Sequence, residues 1–278
     1  MRRIRFGPAG VTVEFTWRDE AAAGAGFAPG GIVLSAFPSA GLATIVAGHY
    51  IIRVLQVPRI GRFESAELPP IAVVQGGEVN PTIRVYGRSD LALVLSEFPP
   101  TPGQANAAAQ AILENAERRK ARAIICLEGV VPHPEEEEPE DAEAPAPAQQ
   151  EQVWVAYSRK DPAMVKWLEN AKAKTLEEGV IGGVSGALLV QGLSRNIPVA
   201  VLLVSAQVAE GLPDHRAGAA LIEILDRLLP ELKIDTGPLR AQAEQIEKAI
   251  RAVMKSGRRA QGPEGEPTET PPSPEMYR

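Results

Sequence analysis

The chain has 278 residues, 45% hydrophobic and 23% charged, enough to bury a core of useful size as one large domain or two small ones. Its formal net charge is −6 and no basic stripe interleaved with aromatics occurs, which argues against nucleic acid or an anionic membrane surface as a partner. A single cysteine, Cys126, excludes an internal disulfide framework, no run of about 18 apolar residues is present to span a membrane, and the basic N-terminus lacks a signal peptide's apolar run, so the expected location is the cytoplasm.

In chain order, Val11 to Phe15 alternates apolar and polar residues, which predicts a half-buried strand. Gly31 to Phe37 reads as a buried strand ending at Pro38, and Leu42 to Leu55 as a helix stopped near Pro58. Further strands are expected at Ile71 to Val74, Thr82 to Tyr86 and Leu91 to Ser96. An Ala- and Glu-rich helix should follow from about Gln104 to Lys120. Ala123 to Leu127 is a short apolar run of buried-strand type.

Residues 132–152 carry Glu135 to Glu138, Glu140, Asp141 and Glu143 among Pro, Ala and Gln. Like charges repel there with almost nothing apolar to bury, so a disordered acidic insertion is expected. Beyond it, Val153 to Tyr157 reads as a strand. A helix should start at Pro162 and end near Lys174, and Pro198 to Val204 is the strongest buried-strand signal. Asp214 can cap a helix with the apolar stripe Ala217, Leu221, Ile224, Leu225 and Leu228. Thr236 is placed to cap a last helix with the stripe Leu239, Ala243, Ile246, Ile250 and Val253. Residues 257–278, rich in Gly, Pro, Glu and Thr, should form a disordered tail. The alternation of buried strands and helices predicts an α/β protein, a three-layer α/β/α sandwich over residues 1–256 with the acidic insertion inside it.

Catalytic signatures are sparse. The glycine-rich stretch Gly179 to Gly186 lacks the Gly-Lys-Ser/Thr ending of a phosphate loop and the spacing of a dinucleotide fingerprint, and Ala187 stands where a nucleophile elbow needs its last glycine. Its amides could hold an anion at the start of a helix, and a tight turn against the sheet is the plainer reading. Ser185, Asp214 and His215 follow the chain order of a hydrolase triad, but adjacent Asp and His side chains at a helix start do not face each other. His49 and His133 have no partners at metal-ligand spacing, and no cofactor is expected. A hydrolase or ATP-dependent ligase acting at the Gly179 to Gly186 loop is the alternative to a binding protein, and a plain oligomeric scaffold for a different partner is a third reading.

The C-terminus pairs a hydrophobic residue and a tyrosine with a free carboxylate, Met276-Tyr277-Arg278. A phenol can anchor in a pocket and a terminal carboxylate can pair with a lysine. The tail from Gly257 gives a reach of roughly 25 Å as a flexible coil.

The body carries Phe37-Pro38-Ser39-Ala40-Gly41-Leu42, Ile60-Gly61, Val79 to Tyr86, Leu127-Glu128-Gly129, Gly182 to Leu189, Leu212 to Glu223 and Ile234 to Leu239. In these motifs, over most of residues 30–255, the chain resembles the proteasome assembly chaperone 2 family, including archaeal members. The resemblance implies a sandwich of the nucleoside-phosphorylase type, a homo-oligomer, and binding of proteasome core particle α subunits rather than catalysis. It further implies that Met276 fills an apolar pocket between adjacent α subunits, Tyr277 anchors there and the Arg278 carboxylate pairs with a pocket lysine. Ala40 departs from a turn that often contains glycine in relatives. The acidic insertion is atypical and leaves open a second, electrostatic contact.

Overall fold

The computed structural model describes residues 16–19, 27–131, 151–159, 162–195, 197–208 and 212–260. The expected strand at Val11 to Phe15, the acidic residues 132–150 and the docking residues Met276, Tyr277 and Arg278 lie outside the described residues.

In chain order the elements are β1 (Thr16–Asp19), β2 (Ile32–Ala36), a 3-10 turn (Ala40–Leu42), α1 (Ala43–Leu55), β3 (Arg59–Glu64), β4 (Val73–Gln75), β5 (Glu78–Asn80), β6 (Ile83–Arg88) and β7 (Leu91–Ser96). They continue with α2 (Pro102–Arg118), β8 (Ala123–Val130), β9 (Val153–Tyr157), α3 (Pro162–Glu169), β10 (Lys174–Thr175), α4 (Gly183–Gly192), β11 (Val199–Ser205), α5 (His215–Leu228) and α6 (Gly237–Ala260). Nine strands form one sheet in the order β1-β3-β6-β7-β2-β8-β11-β9-β10. The central four, β7-β2-β8-β11, are mutually parallel, and β6 and β9 flank them antiparallel.

The central strands read as continuous apolar runs because helices cover both faces. On one face Leu34, Ile125 and Leu202 pack against α1, α3, α5 and α6. On the other Val33, Ile124 and Val201 pack against α2 and α4. This is the expected three-layer α/β/α sandwich. Each such fully buried aliphatic side chain contributes about 1.5–3 kcal/mol relative to exposure.

Helix ends follow local chemistry. Thr101 and Gln104 form a capping box before Pro102, so α2 starts two residues earlier than its alanine content suggests. Asp214 caps α5 as expected, its Oδ1 accepting the Ala217 N–H at 3.0 Å. Thr236 stands before α6, but its hydroxyl donates to Glu223 Oε1 at 2.9 Å, and Asp235 Oδ1 accepts the Gly237 N–H instead.

Four further expectations shift. The strand expected at Ile71 to Val74 is a separate hairpin of β4 with β5. The helix expected to reach Lys174 stops at Glu169, and Lys174 and Thr175 add a strand beside β9. Helix α6 runs through Ala260, past the expected tail start at Gly257. At the far end of the acidic insertion, Glu151 and Gln152 belong to the ordered body. The Gln152 N–H donates to Ser205 Oγ at 2.8 Å and Arg240 Nη1 reaches Glu151 Oε1 at 3.2 Å.

Candidate functional site at the carboxyl edge of the sheet

Strands β2, β7, β8 and β11 all end at one edge, where open α/β sheets place their ligand crevices. Three of the sequence motifs converge there. Ser39 Oγ accepts the Gly129 N–H at 2.9 Å and donates to Thr44 Oγ1 at 3.2 Å, and Thr44 donates to the Phe37 carbonyl at 2.6 Å. The Asp214 N–H donates to the Gly41 carbonyl at 2.7 Å, joining the turn after β2 to the start of α5. Gly129 is required by close approach: a Cβ there would lie 2.3 Å from the Ala40 carbonyl oxygen. Gly186 is required likewise, its Cβ position being 2.2 Å from the Ile181 carbonyl oxygen.

A cavity of about 320 Å³ opens at this edge between the loops after β2 and β7, the ends of β8 and β11, and the entry to α4. Its floor carries Glu128, half-buried on β8 on the face covered by α2 and α4. Ser185, buried in the first turn of α4, donates its hydroxyl to Glu128 Oε1 at 2.5 Å. Burial pushes the Glu128 carboxyl up to about 7, against the Ser185 hydrogen bond, which favours the ionised form. Two residues earlier, Cys126 is fully buried. Burial first and the Glu128 charge second push its thiol far above the usual range, so it stays a neutral core residue, as the apolar run predicts.

The structure does not bring the triad candidates together. Both Asp214 oxygens are taken by backbone donors, Oδ1 by Ala217 and Oδ2 by Gln207 at 2.8 Å. His215 Nδ1 sits 2.9 Å from the Pro213 carbonyl oxygen, which it can meet only as a donor, and the ring lines a different cavity with Tyr50, Tyr86 and Leu239. Ser185 is held by Glu128 instead. In sequence Glu128 stands only within the motif Leu127-Glu128-Gly129 with no role of its own, although a carboxylate closing the apolar run Ala123 to Leu127, directly before a glycine, is a signal for one.

His49 meets a partner 48 positions away in sequence: Nε2 is 2.9 Å from Glu97 Oε1, which also takes the fully buried Arg84. Burial opposes ionisation of Glu97, but the His49 hydrogen bond and the Arg84 charge outweigh it and hold the carboxyl below its usual range. Among the described residues no group of three metal-ligating side chains occurs, and no helix is long and apolar enough to cross a membrane.

A nine-stranded α/β/α sandwich with motif-bearing loops gathered at its carboxyl edge defines the class. The chain belongs to the PAC2 family, whose model matches residues 33–254. It is similar to Pyrococcus furiosus PbaA, described as an archaeal homolog of proteasome-assembly chaperone, at 25% identity and TM-score 0.71 over 85% of this chain and 92% of that one. Pyrococcus furiosus PbaB, described as an archaeal proteasome activator, shares the fold at 19% identity and TM-score 0.69 over 87% of this chain and 99% of that one. The protein MJ0106 of Methanocaldococcus jannaschii is 26% identical over 222 residues, 80% of this chain and 84% of the relative.

Proposed function

We propose that this protein is a non-catalytic, cytoplasmic, homo-oligomeric proteasome-binding protein, an assembly chaperone or ATP-independent adaptor or activator. The observation that carries this reading is the likeness to PbaA over most of both chains, at an identity of 25%. In this reading Met276, Tyr277 and Arg278 dock between adjacent α subunits of the proteasome core particle: Met276 fills the apolar part, Tyr277 anchors, and the terminal carboxylate pairs with a lysine. Each short motif binds weakly, and several tails on one oligomer raise the avidity.

The described body supports a binding role. Large apolar side chains stand exposed on its carboxyl-edge loops, Val180 completely so, with Leu42, Val131, Val208 and Leu212. Such residues suit contact with another protein surface. Ser185, Asp214 and His215 are each hydrogen-bonded to other groups and not to one another, which favours a binding role over a Ser185-based hydrolase. The test is co-purification of assembled α rings with the full-length chain and with a chain ending at Glu275. Capture by the first alone is expected, and equal capture by both refutes the docking assignment.

A further inference from the structure

We propose that the carboxyl-edge cavity binds a primary ammonium carried on an apolar stem, with Glu128 as its counter-ion. This is the chemistry shared by a lysine side chain and a small aliphatic amine.

The cavity is walled chiefly by apolar groups, among them Phe37, Pro38, Pro99, Ile181 and Leu203. Among the described residues, Glu128 is the one ionisable side chain in its lining. Its Oε1 is occupied by the Ser185 hydroxyl, while no protein donor among the described residues reaches Oε2. The Ser39 hydroxyl in the lining is already committed to Gly129 and Thr44. Among the described residues no Lys, Arg or His lines the cavity, so the half-buried Glu128 carboxylate has no positive partner in that lining.

The groups that face Glu128 are few. From its own strand comes the neutral Cys126 thiol. From α4 come Ser185 and the positive end of the helix, where Gly182 and Gly183 are exposed. That helix end is equivalent to only about half a charge and weakens quickly with distance. The loops after β2 and β7 bring apolar side chains, Ser39 and backbone. A ligand ammonium therefore completes the site electrically, and its stem replaces water against Phe37, Ile181 and the prolines. Binding shifts Glu128 to its ionised form, so the site takes its ligand best above about pH 7.

The experiment is a chemical-shift titration of the full chain, read at the Gly182 and Gly183 amides, with n-butylamine, with butyrate of the same shape, and with a blocked Leu-Lys-Leu peptide. Butylamine or the peptide should bind at pH 8, about tenfold more weakly at pH 6, where a carboxyl titrating near 7 is mostly protonated. Glu128→Gln should abolish binding, and thermal unfolding of that variant at pH 8 no lower than wild type excludes misfolding as the cause. Tighter binding of the peptide assigns the site to a partner's lysine; tighter binding of butylamine assigns it to a free amine. Binding of butyrate in preference to the amine, equal amine binding by wild type and Glu128→Gln, or no binding of either amine overturns the proposal.

Discussion

Replacing Glu128 by Gln should stabilise the protein at alkaline pH and leave it nearly unchanged in acid. The carboxyl titrates near 7 in the folded chain and near 4.5, its ordinary value, in the unfolded one. An acid whose folded value is raised makes the folded state bind more protons, so stability falls as pH rises from about 4.5 to 7 and is then level. A separation of about 2.5 pH units corresponds to about 3 kcal/mol at 1.36 kcal/mol per unit. Glu128 is half-buried at an open cavity and solvent screens part of this, which leaves roughly 2 kcal/mol. Gln keeps the shape and an oxygen to accept the Ser185 hydroxyl, so little else changes. For a chain of this size the difference is about 4–8 °C in Tm at pH 8, shrinking to near zero at pH 4.5. Thermal unfolding of both proteins across that range reads it directly. A difference that is constant with pH, or that grows toward acid, would refute the assignment of a desolvated carboxyl at this position.

Gly129→Ala should cost about 1–3 kcal/mol in urea unfolding, because its Cβ meets the Ala40 carbonyl at 2.3 Å, while Gly182→Ala, with nothing within 4 Å, should be within about 0.5 kcal/mol of wild type. Asp214→Ala should lose about 1–2 kcal/mol, since the carboxylate caps α5 and also accepts the Gln207 N–H, and Asp214→Asn should recover most of it. Arg240→Met should remove up to about 1 kcal/mol near neutral pH. Hydrogen bonding from Arg240 is the main cause that holds the Glu223 carboxyl below its usual range. The wild-type advantage should therefore be present above about pH 4.5 and disappear as pH falls below it, as acid titration followed by circular dichroism would show.

The parts of the fold that were legible in sequence are those whose physics is local. Val199 to Val204 and Ala123 to Leu127 are apolar on both faces because both faces are covered, and Asp214 caps within three residues of itself. The wing strand β3, Arg-Ile-Gly-Arg-Phe-Glu, escaped notice because polar residues and a register irregularity break its alternation. Thr236 stands at the cap position of α6, its carbonyl accepting the Arg240 N–H, but its hydroxyl is taken by Glu223, 13 positions earlier, which no local pattern announces. The site was least legible of all. Ser185 invites a search for His and Asp, but its partner is a carboxylate 57 positions away, brought into reach only when α4 packs over the end of β8. Likewise Gly129 declares its role only when the turn at Ala40 closes on it.

We propose that this PAC2-family chain engages the proteasome core particle through Met276, Tyr277 and Arg278. The most direct test is the binding of purified α rings to the immobilised full-length chain and to a chain ending at Glu275, measured side by side. Rings should be retained by the full-length chain and lost on removal of Met276 to Arg278, and retention by both to the same extent would refute docking through these residues.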